Sequence, residues 1–76
     1  MVQQSIRIIR RPALEDKTGF SRSTIYARLD PKSEHYDPDF PRPVKLGTGP
    51  NPPVGWIESE VDAYLARLIE RSRNVA

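Results

Sequence analysis

Hydrophobic residues recur at helical spacing most clearly near the C-terminal end of the chain. The apolar positions of this stretch are Val61, Tyr64, Leu65, Leu68 and Ile69. Acidic residues precede them and arginines follow, an order that complements the helix dipole. The pattern predicts a helix over 58–73 whose apolar side closes the core over Trp56, Leu46 and Leu14. The alternative use of part of that side is contact with a partner protein.

An earlier stretch, residues 12–29, predicts two short helices joined by a tight turn. Gly19 is suited to cap the first helix, because glycine adopts positive φ without a steric cost. Ser21 is suited to cap the second, since its side-chain oxygen can accept from a backbone N–H two or three residues on. Ile25 and Leu29 then share one side of the second helix, facing the first. The predicted helices span 12–18 and 22–29, the arrangement of a helix-turn-helix.

The remaining apolar residues predict short strands. Residues 1–9 form an N-terminal arm or a short strand with one buried face, because Ile6 and Ile8 alternate with Arg7. Two β-like runs around a loop of glycine, proline and asparagine predict a β-hairpin over 43–57. The alternative for this proline-rich region is an extended linker.

These elements predict a small winged helix-turn-helix of the α+β class, with three helices and a β-hairpin wing, in a single domain over residues 1–76. The chain has no cysteine and His35 is its only histidine, so thiolate or histidine-rich metal sites are excluded. No nucleophile has a matching base, and we expect neither an enzyme nor a cofactor. No apolar run approaches the ~20 residues of a membrane span. We therefore expect a cytoplasmic protein that does not contact membranes.

Charge is distributed unevenly, although the formal net charge is only +2. Residues 1–28 carry six basic side chains against two acidic ones, whereas residues 29–40 carry four acidic side chains against one lysine. Basic residues clustered around a helix-turn-helix are typical of a nucleic-acid-binding protein. A merely solubilising surface is the alternative.

Three blocks carry a family resemblance: G-F-S-R-S-T-I-Y-A-R-L, then F-P-R-P-V-K-L-G, then V-G-W-I-E-S-E-V-D-A-Y-L. Over residues 8–71 the chain resembles the AlpA family of small phage and genomic-island regulators, which are similar in fold to excisionases and to the DNA-binding part of MerR proteins. The resemblance implies a recognition helix over 21–29 and a wing over 44–56. It also implies regulation of integrase or prophage genes, action as an excisionase (a recombination directionality factor), or both. The link 29–40 and the wing tip 47–53 are longer than in the commonest pattern.

We predict that the second helix enters the major groove of double-stranded DNA, which is wide enough to admit a helix. Arg22 is the candidate for reading a base, because a guanidinium pairs bidentately with guanine. The other predicted contacts to DNA are Ser21, Ser23, Thr24, Tyr26, Arg28, Arg42, Lys45, Thr48, Asn51, Arg10 and Arg11. We expect a bacterial or phage-encoded, nucleoid-associated protein that self-associates or binds DNA cooperatively, with an integrase as a further candidate partner.

Several of these residues have structural alternatives. Arg22 is alternatively a solvated residue at the start of a helix, and Tyr26 a half-buried core residue. Arg28 alternatively pairs with Asp30 or Asp62 instead of contacting DNA.

Two further alternatives concern the wing and the acidic segment. Lys45 alternatively only covers Trp56. His35 and Tyr36 are interpreted as surface residues without a chemical role. For the whole chain, the alternative function is a protein-interaction module that inhibits a partner regulator without binding DNA, through the last helix and the acidic residues 30–39.

Overall fold

A computed structural model describes residues 5–74, so residues 1–4 of the predicted N-terminal arm lie outside the described residues. The elements in chain order are β1 Ile8–Ile9, α1 Arg11–Thr18, α2 Arg22–Leu29, β2 Val44–Lys45, β3 Val54–Ile57 and α3 Glu58–Arg73. The strands form one antiparallel sheet in the order β1-β3-β2. This is the predicted α+β fold, a winged helix-turn-helix. The bounds of α2 and α3 are as predicted, and α1 begins one residue earlier than predicted, at Arg11.

The turn between α1 and α2 is built by the two predicted caps. Gly19 has a φ of 76°, in the left-handed region, and its N–H donates to the carbonyl of Glu15 at 2.8 Å. The side-chain oxygen of Ser21 accepts from the backbone N–H of Thr24 at 3.2 Å. Both caps are confirmed, and together they fix where α1 stops and α2 starts.

The core lies where α1, α2, α3 and the inner face of the sheet meet. Its buried side chains are Ile9, Leu14, Ile25, Phe40, Trp56, Val61 and Tyr64. Leu65 and Leu68 pack against this cluster, whereas Ile69 is half exposed. The apolar side of α3 therefore closes the core as predicted, over Trp56 and Leu14 but without Ile69.

The first strand differs from its prediction. Ile9 is buried, whereas Ile6 and Ile8 are 81% and 37% exposed. The predicted burial of one face through Ile6 and Ile8 is therefore wrong. The reason is the strand register: Ile9 pairs with Trp56, whose side chain is in the core, and Ile8 pairs with Ile57. Neighbouring residues of a strand point to opposite faces, so Ile8 must point outward.

The hairpin over β2 and β3 is confirmed, and the linker alternative is wrong for this stretch. Lys45 pairs with Val54, and the N–H of Leu46 donates to the carbonyl of Pro53 at 2.7 Å. Leu46 is 43% exposed, so its predicted place beneath α3 is also wrong. It lies on the outer face of the sheet beside Gly55, where an added Cβ would meet Leu46 Cδ1 at 3.3 Å and collide with Ile8.

Candidate DNA-binding surface

One side of α2 is free to meet a large partner. Successive residues of a helix are rotated by about 100°. Ile25 is fully buried and Leu29 packs against the core, so these residues mark the inner side. Ser23 and Ala27 lie opposite them and form the centre of the outer side. The predicted contact residue Ser23 is exposed, and Ser21 at the helix start is exposed as well.

The side of α2 nearest the sheet borders a depression of about 290 Å³. It is lined by Arg10, Arg11, Pro12, Tyr26, Val54 and Trp56, which we call the wing flank. The structure thus brings three predicted contact residues together, from the start of α1 and the middle of α2. Arg11 forms an ion pair within α1, because its Nε lies 3.1 Å from Glu15 Oε2.

Arg22 lies one helical turn before Tyr26, which lines this flank, and contacts its ring. The Arg22 guanidinium carbon lies 5.7 Å from the centre of the Tyr26 ring. Tyr26 is 43% exposed and lies outside the buried core cluster, so it is half-buried without being a core residue. Arg22 is exposed too, and the stacking on Tyr26 gives its flexible side chain a preferred position.

Lys45 also lies toward the helices. It pairs with Val54, and residues opposite each other in a ladder project from the same face. Val54 shares that face with Trp56, two residues on, and Trp56 packs in the core. Lys45 is therefore on the helix side of the sheet while remaining exposed. This position suits a contact to a duplex that lies along α2.

The other predicted wing residues lie farther out. Thr48 and Asn51 are exposed in the loop between β2 and β3. Arg42 precedes β2 and donates a hydrogen bond to the hydroxyl of Tyr36 at 3.0 Å. These three residues line neither of the depressions beside α2.

Arg28 is engaged by neighbouring side chains of the protein. Its Nη1 lies 3.6 Å from Asp37 Oδ2 and donates to the Tyr64 hydroxyl at 3.5 Å. Its guanidinium carbon lies 4.6 Å from the centre of the Phe20 ring. The intramolecular alternative for Arg28 is therefore correct, but Asp30 and Asp62 were the wrong partners. A contact from Arg28 to a phosphate remains a prediction, and it would have to compete with these interactions.

The Arg28–Asp37–Tyr64 cluster shifts two ionisation equilibria. Burial opposes the ionisation of Asp37. It is outweighed by hydrogen bonds from the Tyr64 hydroxyl and the Asp39 N–H and by the charge of Arg28, so the pKa of Asp37 is lowered. Burial, together with the hydrogen bond to Asp37, raises the pKa of Tyr64 to about 12. The Tyr64 hydroxyl donates to Asp37 Oδ2 at 2.6 Å, a charge-assisted bond that ties α3 to residues 30–39.

The opposite side of α2 borders a second depression, of about 320 Å³. It is lined by Ser23, Thr24, Ala27, Arg28 and His35, which we call the loop flank. Two of these residues were missed as candidates from the sequence. The helical period places Ala27 beside Ser23 and was sufficient to find it. No pattern in the sequence places His35 beside α2, because the turns after Asp30 determine its position.

Residues 5–74 contain neither of two other types of site. No group of histidine, cysteine and acidic residues there is suited to hold a metal ion. No helix in that range is both long enough and apolar enough to cross a membrane.

Comparison with known proteins gives two matches. Residues 7–69 match the family described as Prophage CP4-57 regulatory protein (AlpA). The chain is also 46% identical over 65 residues to the DNA-binding transcriptional activator AlpA of Escherichia coli (strain K12). That alignment covers 86% of this chain and 89% of the relative. No solved structure matches the chain at a significant level.

Proposed function

The chain belongs to the AlpA family of prophage regulatory proteins, and from this premise we propose that it is a sequence-specific double-stranded DNA-binding protein that regulates genes of a mobile genetic element. The observation that carries the proposal is the outer side of α2. Its exposed residues Arg22, Ser23 and Tyr26 contribute no buried side chain to the core. They are polar or aromatic groups of the kind that contact bases and phosphates.

The wing flank supplies the second part of the interface. Arg10, Arg11 and Lys45 approach the same side of the molecule as Arg22 and Tyr26. In this arrangement α2 enters the major groove, Arg22 reads a base, and the other cations hold phosphates on either side. Phosphate contacts fix the register of the protein on DNA, and base contacts carry the sequence information.

Transcriptional regulation is the first role that we propose, since the Escherichia coli relative is described as a transcriptional activator. Action as an excisionase is the second, because both roles begin with the same contact to DNA. Footprinting on the DNA around a neighbouring integrase gene separates them. Protection of a promoter favours gene regulation, whereas protection of an attachment site favours excision with the integrase as partner. Either role places the protein at the nucleoid.

Self-association on DNA follows from the size of the interface. One such module buries about 600–1,000 Å² of protein surface, which is small for tight binding. Two copies on adjacent sites gain affinity through their high effective concentration. Sedimentation with a two-site duplex tests this proposal, and independent occupancy of the two sites would refute it.

The experiment that tests DNA binding is a selection followed by a salt titration. Duplexes enriched from a random double-stranded library by the full chain are used in mobility-shift assays at increasing salt. The logarithm of the affinity should fall linearly with the logarithm of salt concentration, with a slope of about 0.9 per phosphate neutralised. No enrichment, or a slope near zero, would favour the alternative of a protein-interaction module that does not bind DNA.

The acidic residues 30–39 offer less support for that alternative than their composition implies. Asp37 is paired with Arg28, and Asp39 Oδ2 lies 3.7 Å from Arg71 Nη2. The acidic loop that was expected to contribute to this role is therefore partly neutralised within the protein.

A further inference from the structure

The acidic loop, residues 30–39, is built as a fixed extension of α2. The N–H of Ser33 donates to the carbonyl of Asp30 at 2.9 Å, and the N–H of Tyr36 donates to that of Ser33 at 3.1 Å. The N–H of Asp37 donates to the carbonyl of Arg28, back in α2, at 2.9 Å. These successive turns hold the loop against the C-terminal half of the recognition helix.

The exposed end of this loop is less negative than the sequence indicates. Asp37 is engaged by Arg28 and Tyr64, and Asp39 lies beside Arg71. The remaining charged side chains of the loop are Asp30, Lys32 and Glu34, and the imidazole of His35 lies beside Glu34. Outside these internal pairs the loop carries two carboxylates against one lysine, a formal charge of −1 instead of −3. The repulsion of a phosphate that approaches α2 here is therefore reduced.

His35 faces the outer side of α2 across the loop flank. Two residues with hydroxyl groups, Ser23 and Thr24, line this depression together with Ala27, Arg28 and the imidazole of His35. The side chain of His35 is 73% exposed, and its Nε2 lies 3.7 Å from Glu34 Oε1. Hydroxyl and imidazole groups are hydrogen-bond donors to phosphate oxygens. A duplex that contacts Ser23 and Ala27 would therefore border the depression that His35 also lines.

We propose that the acidic loop is a third DNA-contacting element, in which His35, together with Ser23 and Thr24, holds one backbone phosphate on the side of α2 opposite the wing. This inference rests on the proposed DNA-binding function. It gives the long link between α2 and β2 a role in positioning the recognition helix on the duplex. The small side chain of Ala27 leaves the depression open for the phosphate.

The test compares three variants on a duplex that the full-length protein itself selects from a random library. His35→Ala should weaken binding about tenfold, the effect of losing a hydrogen bond to a charged group. His35→Gln, which keeps a donor, should recover most of that loss. Lys32→Ala is the matched control, because it removes a positive charge from the same loop at a position that does not line the depression. It should weaken binding less than about twofold.

A second measurement identifies the contacted group. Each phosphate of the duplex is replaced in turn by a neutral methylphosphonate, and binding of the wild-type chain and of His35→Ala is compared. One phosphate position should matter for the wild type and not for His35→Ala. The proposal is overturned if His35→Ala binds like the wild type, if Lys32→Ala loses as much, or if both proteins respond alike at every phosphate. If the wild-type chain binds no duplex at all, the proposed function itself fails.

Discussion

The two ends of the DNA-facing helix use arginine in opposite ways. Arg22, at the start of α2, is exposed and rests on the ring of Tyr26. Arg28, near its end, is enclosed by Asp37, Tyr64 and Phe20. The first arrangement leaves a guanidinium available to a ligand, and the second uses one to join α2 to α3 and the acidic loop. The residue type alone therefore does not indicate whether an arginine serves binding or folding.

The largest effect on stability should come from Asp37→Ala, which removes the ion-pair partner of Arg28 at the end of α2. It leaves Arg28 and the Tyr64 hydroxyl without their shared acceptor, and we expect the free energy of unfolding to fall by about 2–3 kcal/mol. Urea denaturation followed by circular dichroism measures this loss. Asp39→Ala is the matched control, because this more exposed carboxylate should contribute less than about 1 kcal/mol. Equal losses of unfolding free energy for the two variants would show that the contacts of Asp37 with Arg28 and Tyr64 have no special role in stability.

Arg22→Ala should show the converse behaviour. We expect it to weaken binding to a selected duplex by about 1–3 kcal/mol, because a base contact is lost. Its free energy of unfolding should change by less than about 0.5 kcal/mol, since the side chain is on the surface. Mobility shift and denaturation of the same preparation measure both quantities. Strong destabilisation by Arg22→Ala would show that this end of α2 also serves the fold.

A smaller effect is expected for Lys45→Ala. A phosphate contact should weaken binding to selected and random duplexes alike, and reduce the salt slope by about 1. A mobility-shift titration on both duplexes provides the comparison. If Lys45 only covers Trp56, the variant should bind with unchanged slope and unfold more easily. Equal and small losses from Arg22→Ala and Lys45→Ala would refute the division into a reading and an anchoring residue.

The smallest effect concerns pH. Because the pKa of Asp37 is lowered in the folded state, its stabilising contribution is present at neutral pH, begins to fall below about pH 4, the ordinary range of aspartate, and disappears only below the lowered pKa. The difference in Tm between the wild type and Asp37→Asn should therefore shrink as the pH is lowered from 7 to 3. Differential scanning calorimetry at a series of pH values tests this. A constant difference would show that the Asp37 charge contributes nothing.

Local signals explain why the helix-turn-helix could be predicted closely from sequence. Gly19 and Ser21 act on backbone groups no more than four residues away, so their effect is visible in a short window. The paired runs of the wing and the helical period of α3 are equally local. The predicted bounds of α2 and α3 agree with the structure for this reason.

Features that depend on tertiary contacts could not be predicted in the same way. A strand of two residues has too few positions to show which face is buried, so Ile9 was missed and Ile8 misassigned. The true partner of Arg28 is brought to it by the turns of the acidic loop and by α3, which lies far along the chain. His35 reaches α2 through the same turns.

The division of labour within α2 has a consequence for redesign. Ile25 is the one side chain of α2 that is completely buried. Leu29 packs against the core, and Arg28 contacts the ring of Phe20. Positions 22, 23, 26 and 27 carry little of the folding free energy, so a library randomised there should yield many soluble members. The preferred DNA sequence can therefore change through a few substitutions on the outer side of α2 while the fold is retained.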